Sequence, residues 1–255
     1  METKEIKFQK THLKEIGSTN TYLQESDKDR HLPEGTIIYC DIQRSGRGQR
    51  GNSWESEPYK NLTFSLLLRP EHIPANRQFL LSEIVSLATV DVLNRYATGF
   101  SIKWPNDIIM SGKKVCGILT EMSAQFDYVN HVVVGIGINV QNKSFPKDIE
   151  SVATSLFIET KEHYHRAELV ERIWEAFEHY YEIFLQTEDL SGLVNEYNSH
   201  LVNMHQQVKV LDPKEPFEGK AMGITPKGEL IVDTWESRKL VSTGEVSVRG
   251  IYGYV

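Results

Sequence analysis

Cysteine is scarce. Cys40 and Cys116 are the only two in 255 residues, too few for a disulfide framework. Both lie in apolar runs, where a buried free thiol behaves as a small hydrophobe. No stretch approaches ~18 consecutive apolar residues, which excludes a helix crossing a membrane. The N-terminal METKEIKFQK carries no apolar h-region, so no secretory signal is expected and the expected compartment is the cytoplasm. Positive charge is not in excess either. Lysine and arginine number 28 against 35 aspartates and glutamates, a net charge of -7. That balance argues against broad nucleic-acid or membrane binding. Internal repeats and low-complexity tracts are absent as well. His163 and His165, two apart in a polar segment, lack the i, i+4 pairing of a helical zinc site.

What remains is the profile of a globular chain long enough for one large domain and a small one. The pattern mixes α and β. Ser18 or Thr19 is placed to cap a short helix through about Asp27. TIIYC (36–40) and LTFSLLL (62–68) read as strands, the second fully buried. After Pro74 a long helix is expected, with Leu81, Ile84, Val85, Ala88, Val92 and Tyr96 on one stripe. FSIKW, VCGILTEM and HVVVGIGINV read as three strands, with Ser111-Gly112 as hairpin-turn material between the first two. A second helix is expected from about Arg166 to Gln186, its stripe formed by Leu169, Ile173, Phe177, Tyr180 and Phe184. A third, short one follows Asp189. From Gln207 only short alternating runs remain, separated by turn signals such as Asp212-Pro213 and Pro226-Lys227-Gly228. That reads as a small β-barrel.

GRGQRGNSW (46–54) packs three glycines and two arginines into nine residues. It matches G-x-G-x-x-G and follows a strand. A dinucleotide-binding fingerprint needs a helix opening at the third glycine and an acidic residue about 20 positions on, and both are missing. A phosphate-binding P-loop needs a lysine where Asn52 stands. The kinase pattern fails at Ser53. The physics of the loop remains. Glycines let successive N–H groups turn toward an anion, and Arg47 and Arg50 add forked donors suited to phosphate. Trp54 supplies an apolar anchor. Such a loop is expected to be mobile when empty and ordered around an anion.

Four further motifs accompany it in order: GSTN (17–20), KWPND (103–107), KVCGILTE opened by Lys114, and GIGIN (135–139). Together the five resemble the biotin protein ligase family over essentially the whole chain. The resemblance implies an α+β protein: a mixed β-sheet with flanking helices, of the class II synthetase-like ligase fold, over residues 1–205, then an SH3-like β-barrel over 206–255. It implies an enzyme that makes biotinyl-5'-AMP from biotin and ATP with Mg²⁺, releasing pyrophosphate. Biotin then passes to one lysine of a biotin carboxyl carrier domain. The first step brings two anions together, so preorganised cations and N–H groups are needed.

The resemblance also implies roles for residues. Lys114 is the central cation between the biotin carboxylate and the α-phosphate, with Arg47 and the 46–51 backbone closing over the same group. Ser18 and Gln43 suit the ureido ring, with Thr19 either a pocket residue or a helix cap, and Asn20, Gly46 and Gly48 beside them. Gly117, Gly135 and Gly137 are strand positions that permit close ligand approach. Arg50, Gly51, Trp54, Asn106 and Asn139 fall on the ATP or adenylate side, and Arg249 reaches toward it from the barrel. Asp107 either binds Mg²⁺ or orients the incoming lysine amine. Two departures stand out. GSTN begins at residue 17, leaving no room for the N-terminal DNA-binding domain of repressor members, so no nucleic-acid partner is expected; the resemblance leaves room for a homodimer. Gln49 stands where familiar members carry arginine. Two other readings remain open: a lipoate-type acyl ligase, or a non-catalytic biotin-binding regulatory module.

Overall fold

A computed structural model describes residues 8–70, 73–74, 77–125, 128–243, 247–251 and 254–255; the side chains of Arg50, 124–125 and 128–130 lie outside that description. In chain order the elements are β1 (Gln9–Ile16), α1 (Thr19–Arg30), β2 (Thr36–Gln43), β3 (Asn61–Leu68), α2 (Leu80–Tyr96), β4 (Ser101–Lys103), β5 (Asp107–Met110), β6 (Lys113–Gln125) and β7 (Tyr128–Asn139). They continue with α3 (Leu156–Thr160), α4 (Arg166–Thr187), α5 (Val194–His200), β8 (Gln207–Leu211), β9 (Phe217–Ile224), β10 (Leu230–Asp233), β11 (Arg238–Val241) and β12 (Ser247–Gly250). The chain forms two compact units, 1–82 with 115–171 and 83–114 with 172–255.

In the first unit the strands run in the order β1-β2-β3-β7-β6. β1 and β2 are parallel and the other neighbours antiparallel. A parallel pair needs a crossover, and α1 supplies it. Ser18 is the N-cap, its hydroxyl accepting from the Thr21 N–H at 3.5 Å; Thr19 is the first helical residue. α1 lies along β7. Asn20 is over Gly135, Leu23 packs with Val133, Leu67 and Ile38, and Asp27 pairs with His131 at 2.8 Å. Helical spacing on one element and alternate positions on the other make this match possible. Burial, only partly offset by Asp27, lowers the His131 pKa. Every residue of β3 is buried, so its continuous apolar run reads as a central strand.

In the second unit, α4 turns an aromatic stripe inward. Phe177 stacks on Tyr181 at 5.1 Å, and Tyr181 on Phe184 at 6.1 Å. All five positions of the expected stripe are buried. Residues 207–250 form an antiparallel sheet ordered β11-β10-β9-β8-β12, around Val208, Val210, Ala221, Leu230 and Val232.

Three expectations need correction. Tyr96 is 38% exposed, because α2 ends there and its side chain leaves the buried stripe. The turn at Ser111 and Gly112, with φ of 52° and 75°, joins β6 to β5, a strand the periodicity missed because it spans only Asp107–Met110. β1 was also missed; its mostly exposed pattern lacks a clean apolar face. Cys40 and Cys116 are buried free thiols, as expected. No described helix is long and apolar enough to cross a membrane.

Glu83 on α2 is fully buried, and neither carboxylate oxygen has a hydrogen-bond partner. Burial raises its pKa well above the carboxylate range. The folded state therefore keeps a proton that the unfolded chain releases, and stability falls as pH rises above the unfolded value of ~4.3. Glu83→Gln should remove this dependence. The variant-minus-wild-type difference in unfolding free energy, measured by denaturant titration, should grow between pH 5 and 7 by up to ~1.4 kcal/mol per pH unit.

Candidate active site

Three glycines, Gly117, Gly135 and Gly137, lie close together on β6 and β7 in the first unit. Gly117 and Gly137 are cross-strand neighbours, Gly137 faces Thr63, and Gly135 faces Ser65. Missing Cβ atoms leave room that two other groups enter. A Cβ on Gly135 would stand 2.2 Å from Asn20 Oδ1, and one on Gly137 would stand 2.5 Å from the Trp54 indole.

Around these glycines runs a chain of polar contacts. Gln43 Oε1 accepts from the Thr19 N–H at 3.0 Å and from the Thr19 hydroxyl at 3.3 Å. With its oxygen so held, the Gln43 amide keeps its NH₂ face as donor. The Ser65 hydroxyl lies at hydrogen-bond distance from Thr19 Oγ1 and Asn20 Oδ1. Asn20 Nδ2 donates to Glu121 Oε2 at 2.8 Å, and Arg47 Nη2 donates to the same oxygen at 2.7 Å. Six residues from α1, β2, β3, β6 and the glycine-rich loop thereby form one connected set. The sequence reading missed Ser65 and Glu121. Their signal is a polar residue in an otherwise apolar strand run.

The 46–54 loop is closed by its own backbone. Gly48 N–H donates to Asn52 O at 2.7 Å, and Trp54 N–H to Gly46 O at 3.0 Å. Its limbs approach so closely that a Cβ on Gly46 would lie 2.4 Å from Trp54 O. Gly51 has φ of 78°, in the left-handed region. A short 3-10 turn, Gln49–Gly51, replaces the helix that nucleotide-binding fingerprints require. Between the loop and the start of α1 lies a cleft of about 400 Å³, bounded by Ser18, Thr21, Gly46, Arg47 and Ser53.

Asn139 is differently employed. Its Oδ1 accepts from Asn61 at 2.8 Å and its Nδ2 donates to Thr154 O at 2.9 Å, within a buried network. It braces the end of β7 against the 154 loop.

The second unit holds a compact charged cluster. Lys114 Nζ lies 2.6 Å from Asp107 Oδ1, and the Tyr254 hydroxyl donates to Asp107 Oδ2 at 2.5 Å. Lys103 Nζ sits 4.3 Å from the centre of the Tyr254 ring. Burial by itself raises the Asp107 pKa. Lys114 and Lys103, with hydrogen bonds from Lys114 and Tyr254, outweigh it and hold the carboxyl below its usual range. Burial lowers the Lys103 pKa, and Lys114 and Arg249 add to that effect. Asn106 is buried, and Arg249 lies exposed on β12. Trp104 Nε1 donates to Gly228 O at 3.0 Å and the Tyr197 hydroxyl to Pro105 O at 2.7 Å, which fixes the turn carrying Asn106 and Asp107. Among the described residues no group of three or more His, Cys, Asp or Glu side chains is arranged to hold a metal.

A family model described as Biotin/lipoate A/B protein ligase family matches residues 13–139, which sets the class as a ligase of this kind. A second, described as Biotin protein ligase C terminal domain, matches 206–249. The chain belongs to the biotin protein ligase family. It is 34% identical over 224 residues to a bifunctional ligase/repressor of Bacillus subtilis, covering 86% of this chain and 68% of that protein. It is 27% identical over 239 residues to the biotin–[acetyl-CoA-carboxylase] ligase of Mycobacterium tuberculosis, covering 91% of this chain and 86% of that protein. The biotin protein ligase of Aquifex aeolicus, solved with biotin and ATP, superposes with a TM-score of 0.82 at 30% identity, covering 94% of this chain and 98% of that one.

The glycines make a direct test. Gly135→Ala should displace Asn20 and destabilise the protein by about 1–3 kcal/mol. Gly17→Ala, at a site with nothing within 4 Å of the added Cβ, should leave thermal stability unchanged. Equal melting temperatures for the two variants would contradict the packing described.

Proposed function

We propose that this chain activates biotin with ATP to biotinyl-5'-AMP and transfers biotin to a lysine of a biotin carboxyl carrier domain. The observation that carries this reading is the connected set from Gln43 to Arg47 over a floor lacking side chains at 117, 135 and 137. A fused, neutral ring system with urea-type donors and acceptors needs both features: fixed polar edges and close backbone approach. In this assignment Ser18 and the Gln43 NH₂ contact the ureido group, and Thr19 and Asn20 hold those contacts in place.

In the first step a biotin carboxylate oxygen attacks the α-phosphorus and pyrophosphate leaves. Negative charge grows on the phosphate oxygens, so fixed donors lower the barrier. Lys114 supplies one cation and Arg47 another, with Glu121 holding Arg47 until an anion competes for it. Trp54 and Asn106 serve the adenine, and Asn139 supports the floor from behind. In the second step the carrier lysine's amine attacks the acyl carbonyl, AMP leaves and the amine gives up a proton. Asp107 does not fit as a Mg²⁺ ligand, since both its oxygens are engaged by Lys114 and Tyr254. Mg²⁺ belongs with the triphosphate of its ATP complex, which it binds through phosphate oxygens. Within this reading residues 1–205 form the catalytic domain and 206–255 the SH3-like domain.

Incubation with biotin, MgATP and unmodified carrier domain should give an avidin-reactive carrier band that requires all three. Lipoate in place of biotin should give none, and an inert protein would leave only the binding-module reading. Lys114→Ala should slow pyrophosphate release by ~10²-fold or more, comparable to losing one oxyanion donor, with biotin binding far less affected.

The loop gives a second readout. Trypsin should cut at Arg47 and Arg50 readily in the free protein, and biotinyl-AMP should protect both sites, because the adenylate phosphate organises the loop's N–H groups. Equal cleavage with and without adenylate would remove the lid role.

A further inference from the structure

The C-terminal tail ends on the charged cluster of the second unit. Three contacts seat it there. Gly250 closes β12 with no side chain, and a Cβ at that position would lie 2.2 Å from the Val255 carbonyl group, so the tail folds back against the strand end. The Tyr254 ring lies against Lys103 at 4.3 Å, a cation–π contact with a lysine that is only 6% exposed. The Tyr254 hydroxyl donates to Asp107 Oδ2. The other oxygen of that carboxylate holds Lys114.

We propose that Tyr254 is a positioning residue for biotin activation, fixing Asp107 so that Asp107 fixes the Lys114 ammonium. The inference rests on the role given above to Lys114. A carboxylate held through one oxygen rotates about its terminal bond. Held through both, it presents Oδ1 in one direction, and the Lys114 Nζ follows it. Lysine is a point charge on a four-carbon stem and does not orient itself, so its placement depends on such a partner. A misplacement of about 1 Å at a reacting centre lowers rates by about 10²-fold. The tail of the chain thereby completes the cation site, and the buried Lys103 serves as the seat of the tyrosine ring rather than as a second phosphate ligand.

Tyr254→Phe keeps the ring and its cation–π contact and removes only the hydroxyl. Its melting temperature should match wild type. Its kcat for biotin-dependent pyrophosphate release should fall about tenfold, the scale of one hydrogen bond to a charged group, with the KM for biotin unchanged. Removal of Tyr254 and Val255 together should lower kcat at least as much. In an Asp107→Asn background Tyr254→Phe should have no further effect, whereas a purely structural tyrosine would lower activity by the same factor in both backgrounds. Wild-type kcat in Tyr254→Phe, or multiplicative losses in the double variant, would overturn the proposal. Absence of pyrophosphate release from the wild-type chain would instead overturn the functional reading, and this inference with it.

Discussion

The seating of α1 on the sheet organises the first unit. Leu23 is fully buried against Ile38, Leu67 and Val133, and this apolar contact sets the height and register of the helix. Everything polar on the same helix face is placed by it. One turn toward the N-terminus, Asn20 comes down on Gly135; one turn toward the C-terminus, Asp27 meets His131 and Arg69. The two ends of one helix therefore do different work on one strand face. Asp27 and its partners form a closed, buried ion cluster that holds the helix down. Asn20 fills the space that the missing Gly135 side chain leaves.

Charge is handled differently in the two units. Arg47 is half exposed and pairs with Glu121, a contact that screening weakens. Lys114, Asp107, Tyr254 and Lys103 form a more enclosed set, in which opposite charges and a phenol satisfy one another.

The motifs with glycines and lysine fall on the chain's two longest described strands. Lys114 and Gly117 share β6, and Gly135 and Gly137 share β7, paired antiparallel in register. KWPND is held by Tyr197 of α5 and by Gly228, so the turn carrying Asn106 and Asp107 is anchored by two groups far along the chain.

The sequence by itself determined the element types where period and burial agree: the α4 stripe, the buried β3, the short alternating strands after Gln207, and the absence of a helix after the glycine-rich loop, where a proline stands and no apolar stripe follows. It also carried the motifs, because glycines, lysine and arginine are chemically legible one at a time. It did not determine β1 or β5, one without an apolar face and the other only four residues long. Nor did it reveal Ser65, Glu121 or Tyr254, whose partners lie 45 or more residues away in the chain. The Asn139 amide looked available and is engaged by Asn61 and Thr154. Such pairings depend on which strands become neighbours and which helix lies across them. That choice is made by the packing of the whole core, so only the tertiary structure decided it.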